Sequence, residues 1–224
     1  MSEKIIAYKA MNPDMTCRGK KYEVGKTYFE DKADCCNAGM HACENPFEVL
    51  RYYPMKDNPR FFEVECGGEI SKSDKGSKLA CTELTVKGEL NFAGMLKATL
   101  DAVFRRVKDK EPFSSGDSST AGTSGDYSTA GTSGDYSTAG TSGYYSTAAA
   151  TGPYCRAKAE GNNSIAVANG YKSKVKGSVG CYLVLTEYDD DGNFLCADLK
   201  FVDGISIKAD TWYMLKDGLA VESE

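Results

Sequence analysis

Cys35, Cys36, His41 and Cys43 form the densest grouping of metal-ligating side chains in the sequence. Tetrahedral zinc asks for a C-x2-C or similar pair answered by a second pair elsewhere. Adjacent cysteines followed by His-x-Cys meet neither condition, so the grouping reads as thiols and no metal is expected. His41 is the only histidine, and any Ser-His-Asp or Cys-His catalyst would rest on it alone. Cys43, two residues on, is read as turned away from it. No Walker loop and no G-x-G-x-x-G fingerprint occurs. The nine cysteines are odd in number and irregularly spaced, and MSEKIIAYKA carries no apolar export stretch. These features point to reduced thiols and a cytoplasmic location.

The element that must position any surface chemistry is a repeat. Glycine recurs every nine residues at 116, 125, 134, 143, 152, 161 and 170, through units such as GDYSTAGTS. The fourth position is Ser119, Ser128, Ser137, Ser146, Cys155, Ser164 and Ser173, and the sixth is Ala in six units and Val175 in the last. Positions two apart share one face of a strand. Small side chains held there mean a facing wall at close range, and Gly at position 1 suits a corner with positive φ or close approach. A parallel β-solenoid follows, with two nonapeptides per coil of about 18 residues. A flexible Gly/Ser linker would not hold Ser and Ala in phase while the other positions change.

Stacking such coils places Asp117, Asp126 and Asp135 at equivalent points, and likewise Tyr127, Tyr136, Tyr145 and Tyr154, with alternate members on opposite faces. These seven residues are the expected binding positions. The calcium rolls need Gly-Gly-x-Gly-x-Asp, which is absent. Serine and alanine inside bury little apolar area, so the tyrosine rows are expected to pack against a second copy, giving a homo-oligomer, a dimer, through one solenoid face.

The expected fold is an α+β head over residues 1–112 that ends in a capping helix. A β-solenoid follows over 113–178, then a small antiparallel β cap over 179–224. In the head, Asn45 and Pro46 signal the start of a short helix over 46–53. Residues 60–66 read as a strand stopped by Gly67-Gly68. A helix from Asn91 to Lys110 would turn Phe92, Leu96, Leu100, Val103 and Val107 to one side. Near the C-terminus, Asp191-Gly192, Asp203-Gly204 and Asp217-Gly218 mark turns between short strands.

Composition excludes more than it selects. The 224 residues are 41% hydrophobic and 26% charged, enough for a folded core, and no apolar run is long enough for a membrane span. Residues 1–112 carry 19 Lys+Arg against 18 Asp+Glu, whereas 179–224 carry 3 against 10. Direct nucleic-acid binding, which wants a basic face, is not expected. Arg105-Arg106 and Lys20-Lys21 read as solvated basic pairs.

Two resemblances add context. IIAYKAMNPDMTCRGKKYEVGKTY, GMHACENPFEVLRYYP, the Gly-x-x-Ser-x-Ala nonapeptides, GCYLVLTEYDDDG and IKADTWYMLKDG resemble an uncharacterised family common in bacteriophages, prophages and gut bacteria. That resemblance implies a mobile-element protein in the host cytoplasm, of a kind that often binds a host protein or counters host defence, as anti-CRISPR proteins do. The run Gly39-Met40-His41-Ala42-Cys43 with Tyr52 nine residues on is similar to the Gly-x-Tyr-x-Ala/Ser…Tyr segment of ADP-ribosyltransferases. This second resemblance implies NAD as cofactor, with Tyr8-Lys9-Ala10 in place of the upstream His or Arg, and His41, Tyr52 and Glu65 (or Glu63) as the residues of a transferase. The expectation is a non-enzymatic host-protein-binding factor. The alternatives are an active or degenerate transferase and a virion or fibre component.

Overall fold

The computed structural model describes residues 4–74, 76–109 and 113–224, the side chains of 104–109 excepted, so the side chains of Arg105, Arg106 and Val107 lie outside the described residues. The chain divides into two compact units, Met1–Ala102 and Val103–Glu224.

The N-terminal unit is built from antiparallel strands: β1 (Ile5–Met11), β2 (Thr16–Cys17), β3 (Lys20–Lys21), β4 (Thr27–Phe29), β5 (Met40–Cys43), β6 (Arg60–Lys72) and β7 (Lys78–Leu90). β1 pairs with β6, β6 with β7, β7 with β5, and β5 back with β1, so four strands close a ring. The closure between β1 and β5 is a single bridge, Tyr8 opposite Cys43, beyond which the two strands part. Ala7, Met11, Phe62, Val64, Cys66, Leu79, Leu84 and Val86 fill the interior. β6 does not stop at Gly67-Gly68. It bulges there, with Gly68 at φ +70°, and continues to Lys72. The bulge forms because a Cβ on Gly68 would lie 2.2 Å from the Thr82 hydroxyl, which accepts the Glu69 amide.

The expected helix after Asn45 is a 3-10 helix, Pro46–Arg51, in which the Asn45 side chain accepts the Phe47 amide. Phe47 and Leu50 are buried, as their spacing predicts. The long helix α1 (Phe92–Asp109) begins where Asn91 Oδ1 accepts the Gly94 amide at 2.8 Å, and Leu96, Leu100 and Val103 are buried.

The C-terminal unit contains the solenoid. Its strands are β8 (Phe113–Ser115), β9 (Thr120–Thr123), β10 (Thr129–Ser133), β11 (Thr138–Thr141), β12 (Thr147–Thr151), β13 (Arg156–Ala159), β14 (Ile165–Asn169) and β15 (Lys174–Gly177). Even-numbered strands stack in one parallel sheet and odd-numbered strands in the other. Thr129 faces Thr147 and Thr138 faces Arg156, so one coil is 18 residues, and about four coils cover 113–184.

Two antiparallel hairpins follow, one on each sheet. β16 (Tyr182–Tyr188) adds to β14 and folds back as β17 (Phe194–Phe201), and β18 (Tyr213–Lys216) pairs with β15 and with β19 (Leu219–Glu222). Leu183, Leu185, Val202, Tyr213 and Leu215 share one core with Ala157, Ala166 and Val175 of the coils. The Asp217-Gly218 turn has both φ positive, at 53° and 73°, the geometry of a tight two-residue hairpin. Ile205–Ile207 is a bend rather than a strand, because the Asp203 carboxylate gathers the amides of Ile205, Ser206 and Ile207.

Positive φ at the solenoid corners falls on position 3 of every unit and also on the glycine of alternate units, Gly116, Gly134, Gly152 and Gly170, as the spacing leads one to expect. Ser118, Tyr127, Tyr136, Tyr145, Tyr154, Asn163 and Lys172 all lie between 50° and 60°, whereas Gly125, Gly143 and Gly161 are not left-handed. At Gly143 and Gly161 close approach alone is what requires glycine. A Cβ on Gly143 would stand 2.1 Å from the Gly125 carbonyl oxygen, and one on Gly161 2.0 Å from that of Gly143.

Candidate functional site

Two regions gather the residues singled out by type and spacing. The first is the solenoid corner. Each coil puts position 3 at the outer edge of a left-handed turn, so the side chains there stack on their counterparts one coil away. Tyr136 and Tyr154 rings stack at 4.9 Å with 3° between planes, and Tyr171 meets Tyr154 edge-on at 5.7 Å. On the other sheet's corner Tyr127 and Tyr145 stack at 5.4 Å. The two ladders differ in exposure. Tyr136 keeps 60% of its surface and Tyr154 38%, while Tyr127 and Tyr145 are half-buried.

The aspartates beside them have work within the fold. Asp117 Oδ1 accepts the Asp135 amide at 3.1 Å, and Asp126 Oδ1 accepts the Tyr144 amide at 2.9 Å, each bond joining one coil to the next. Asp135 stands one coil below Pro153, which has no N–H to give.

The fourth-position serines are more than small. Ser146 Oγ donates to the Gly125 carbonyl at 3.0 Å, Ser164 Oγ to Gly143 at 2.9 Å and Ser173 Oγ to Gly152 at 3.2 Å. A hydroxyl ladder thus holds the corner carbonyls, a role signalled by serine at the fourth position of six of the seven units, with Cys155 in the other. The eighth position also points inward, with Thr132, Thr141, Ala150, Ala159 and Ala168 all buried. The alternation of positions 4, 6 and 8 carries that signal too.

The second region is a cleft of about 150 Å³ in the N-terminal unit, at the seam where β1 and β5 part. His41 and Tyr52 border it together, the histidine from β5 and the tyrosine from the end of the 3-10 helix. Glu65 does not. It sits on β6 with its carboxylate 2.8 Å from Lys4 Nζ and 3.0 Å from Lys87 Nζ, which together hold it below the usual carboxylate range. Glu63, also on β6, is likewise not among the residues that border the cleft.

His41 Nε2 accepts the Cys36 amide at 3.0 Å. Burial first, and then the charges of Lys78, Arg18 and Lys9, depress its pKa to about 4. The ring is therefore neutral near pH 7 with its proton on Nδ1, and Nε2 is already occupied. Such a histidine orients a loop better than it moves protons. Cys43 is not turned away from it: residues i and i+2 share a strand face, and both border the cleft. The Cys43 thiol is buried, and burial drives its pKa far up, so it is no nucleophile at neutral pH. Burial likewise pushes Tyr52 up to about 12.

The cleft's cations carry no sequence signature. Lys9 and Lys78 are 69 positions apart, but β5 lies between β1 and β7 and brings both to the seam. Lys9 Nζ donates to the His41 carbonyl at 2.8 Å, filling in for a missing strand bond, and Lys78 Nζ lies 4.6 Å from the Tyr52 ring centre. All nine cysteines are free, and among the described residues no group of His, Cys, Asp and Glu is arranged to hold a metal ion. Among them, too, no helix is long and apolar enough to cross a membrane.

Residues 5–98 match the model of a family described as a domain of unknown function (DUF7666). The match takes in the closed ring of strands and the cleft, and leaves the solenoid outside. No curated protein and no solved structure matches the chain.

Proposed function

We propose that this chain is a non-enzymatic binding factor that presents the Tyr136–Tyr154 ladder of its solenoid to a protein partner. The supporting observation is the ladder itself. Two rings stack in parallel at 4.9 Å on a corner fixed by backbone and serine bonds, yet the outer ring is 60% exposed. Tyrosine offers large contact area with few rotamers to freeze, and a pre-stacked pair has already lost most of that freedom. Asp135, beside the ladder and without an amide to cap one coil on, supplies an acceptor at its rim. In this reading the partner is a host protein, the chain comes from a phage or other mobile element, it works in the host cytoplasm, and counter-defence is its role. In the same reading a second copy shares the solenoid face, giving a dimer, as the small interior side chains favour.

The transferase alternative draws on His41 and Tyr52 sharing a cleft; the carboxylate expected for it, Glu65, is not at the cleft and is held by two lysines, and the acid that does border the cleft, Glu30, is paired with Lys20. Incubation with labelled NAD and lysate separates the two: transfer of label to protein favours the transferase, and no transfer favours the ladder. The test of the ladder is Tyr136→Ser with Tyr154→Ser, which removes both rings and leaves the corner backbone. Loss of partner and self-association with the coil fold retained is the expected result.

A further inference from the structure

Lysines that are nine-tenths buried are almost always paired with an acid, because a lone charge away from water is costly. Lys9 and Lys78 keep 4% and 8% of their surface. Among the described residues neither has a carboxylate in ion-pair range, and the acids nearby are engaged elsewhere. Glu30 pairs with Lys20, Glu44 with Lys72, and Glu48 accepts the Ser77 amide and lies 3.8 Å from Arg51. What the two ammonium groups meet instead are dipoles and rings: the His41 carbonyl and the Tyr22 ring for Lys9, the Cys36 sulfur and the Tyr52 ring for Lys78. None of these cancels a full charge. Arg18, exposed at the same cleft and held at φ +50°, adds a third cation; Lys20 and Glu30 also border the cleft but pair with each other and add no net charge, and neutral His41 adds none.

We propose that the seam cleft binds a small phosphate-bearing molecule, its phosphate between Lys9, Lys78 and Arg18 and its uncharged part against the tyrosine-lined wall. Three cations match a phosphate dianion better than a single carboxylate. A cavity of about 150 Å³ holds about one benzene-sized ring, so the space takes a phosphate in full, with the uncharged part of the molecule reaching along the tyrosine-lined wall. The parted strands suit such a ligand, because backbone groups between β1 and β5 beyond the single bridge are not spent on each other. This site is separate in chemistry from the tyrosine ladder and needs no bond made or broken.

The test uses the full chain, titrated with inorganic phosphate, phenyl phosphate and phenol while backbone amide resonances are followed. The expected result is saturable shifts at residues 39–43 and 78 with both phosphates and none with phenol. Tighter binding of phenyl phosphate assigns the site to an organic phosphate, and equal binding assigns it to phosphate itself. Arg18→Gln, at an exposed position, should weaken binding about tenfold or more without changing the melting temperature, and Lys78→Met should do the same to binding. No saturable shift with either phosphate, or unchanged affinity in both variants, would overturn the proposal.

Discussion

Single side chains show two departures from ordinary behaviour that can be measured directly. His41 has its folded pKa lowered to about 4 against an unreacted value of 6.5. Between those values the unfolded chain binds the proton first, so stability rests on the neutral ring. It is full above pH 6.5 and is lost as pH falls toward 4. Because the chain has one histidine, its C2–H resonance should show a midpoint near pH 4, and a midpoint near 6.5 would contradict the buried, Cys36-bonded ring. His41→Gln should flatten the decline of melting temperature over that same interval. Thr141 is the second case. Among the described residues its buried hydroxyl has no hydrogen-bond partner, whereas that of Thr132 accepts from Ser137 at 3.2 Å. The serine that would serve Thr141 in the same way, Ser146, points to the Gly125 and Tyr144 carbonyls. Thr141→Val should therefore stabilise by about 1 kcal/mol and Thr132→Val destabilise by a similar amount in denaturant melts.

At the scale of elements, the coil is held by corners as much as by strands. Gly143→Ala drives a Cβ into the Gly125 carbonyl at 2.1 Å and should cost about 3 kcal/mol or more. Gly140→Ala, in the middle of β11 with nothing within 4 Å of the new atom, should shift stability by no more than about 0.5 kcal/mol. Equal effects on unfolding would show that corner stacking is not what holds the coils. The nonapeptide frame made this architecture legible before any coordinates, because one face of small residues in fixed phase has few physical solutions. The Asp-Gly hairpins and the Asn45 cap were legible for the same local reason. What escaped was non-local. The left-handed residue at position 3 is set by how successive turns stack, and nothing in Tyr or Lys announces it, although Asn163 is a type that tolerates that conformation. β6 runs through Gly67-Gly68 because Thr82 of the neighbouring strand receives the bulge. The cation cleft depends on strand order β1-β5-β7, which places Lys9 and Lys78 together across a long stretch of sequence.

For the whole molecule, the uneven charge has a structural explanation that bears on function. Three of the ten acidic residues of 179–224 serve turns: Asp189 accepts the Asp191 and Asn193 amides, Asp203 gathers three amides, and Glu187 accepts those of Asp217 and Gly218. They form hairpin ends rather than a surface built to imitate nucleic acid. The tyrosine ladder is left as the feature that the backbone alone does not explain, since Ser118, Asn163 and Lys172 take up the same left-handed position without an aromatic ring. The most direct test of the proposed role is affinity capture from host lysate with the wild-type chain and the Tyr136→Ser, Tyr154→Ser variant side by side, with circular dichroism and light scattering on both. A binding ladder predicts that the variant keeps its β spectrum while the captured protein and any dimer are lost. Capture of the same protein in the same amount by a variant of unchanged fold would contradict it.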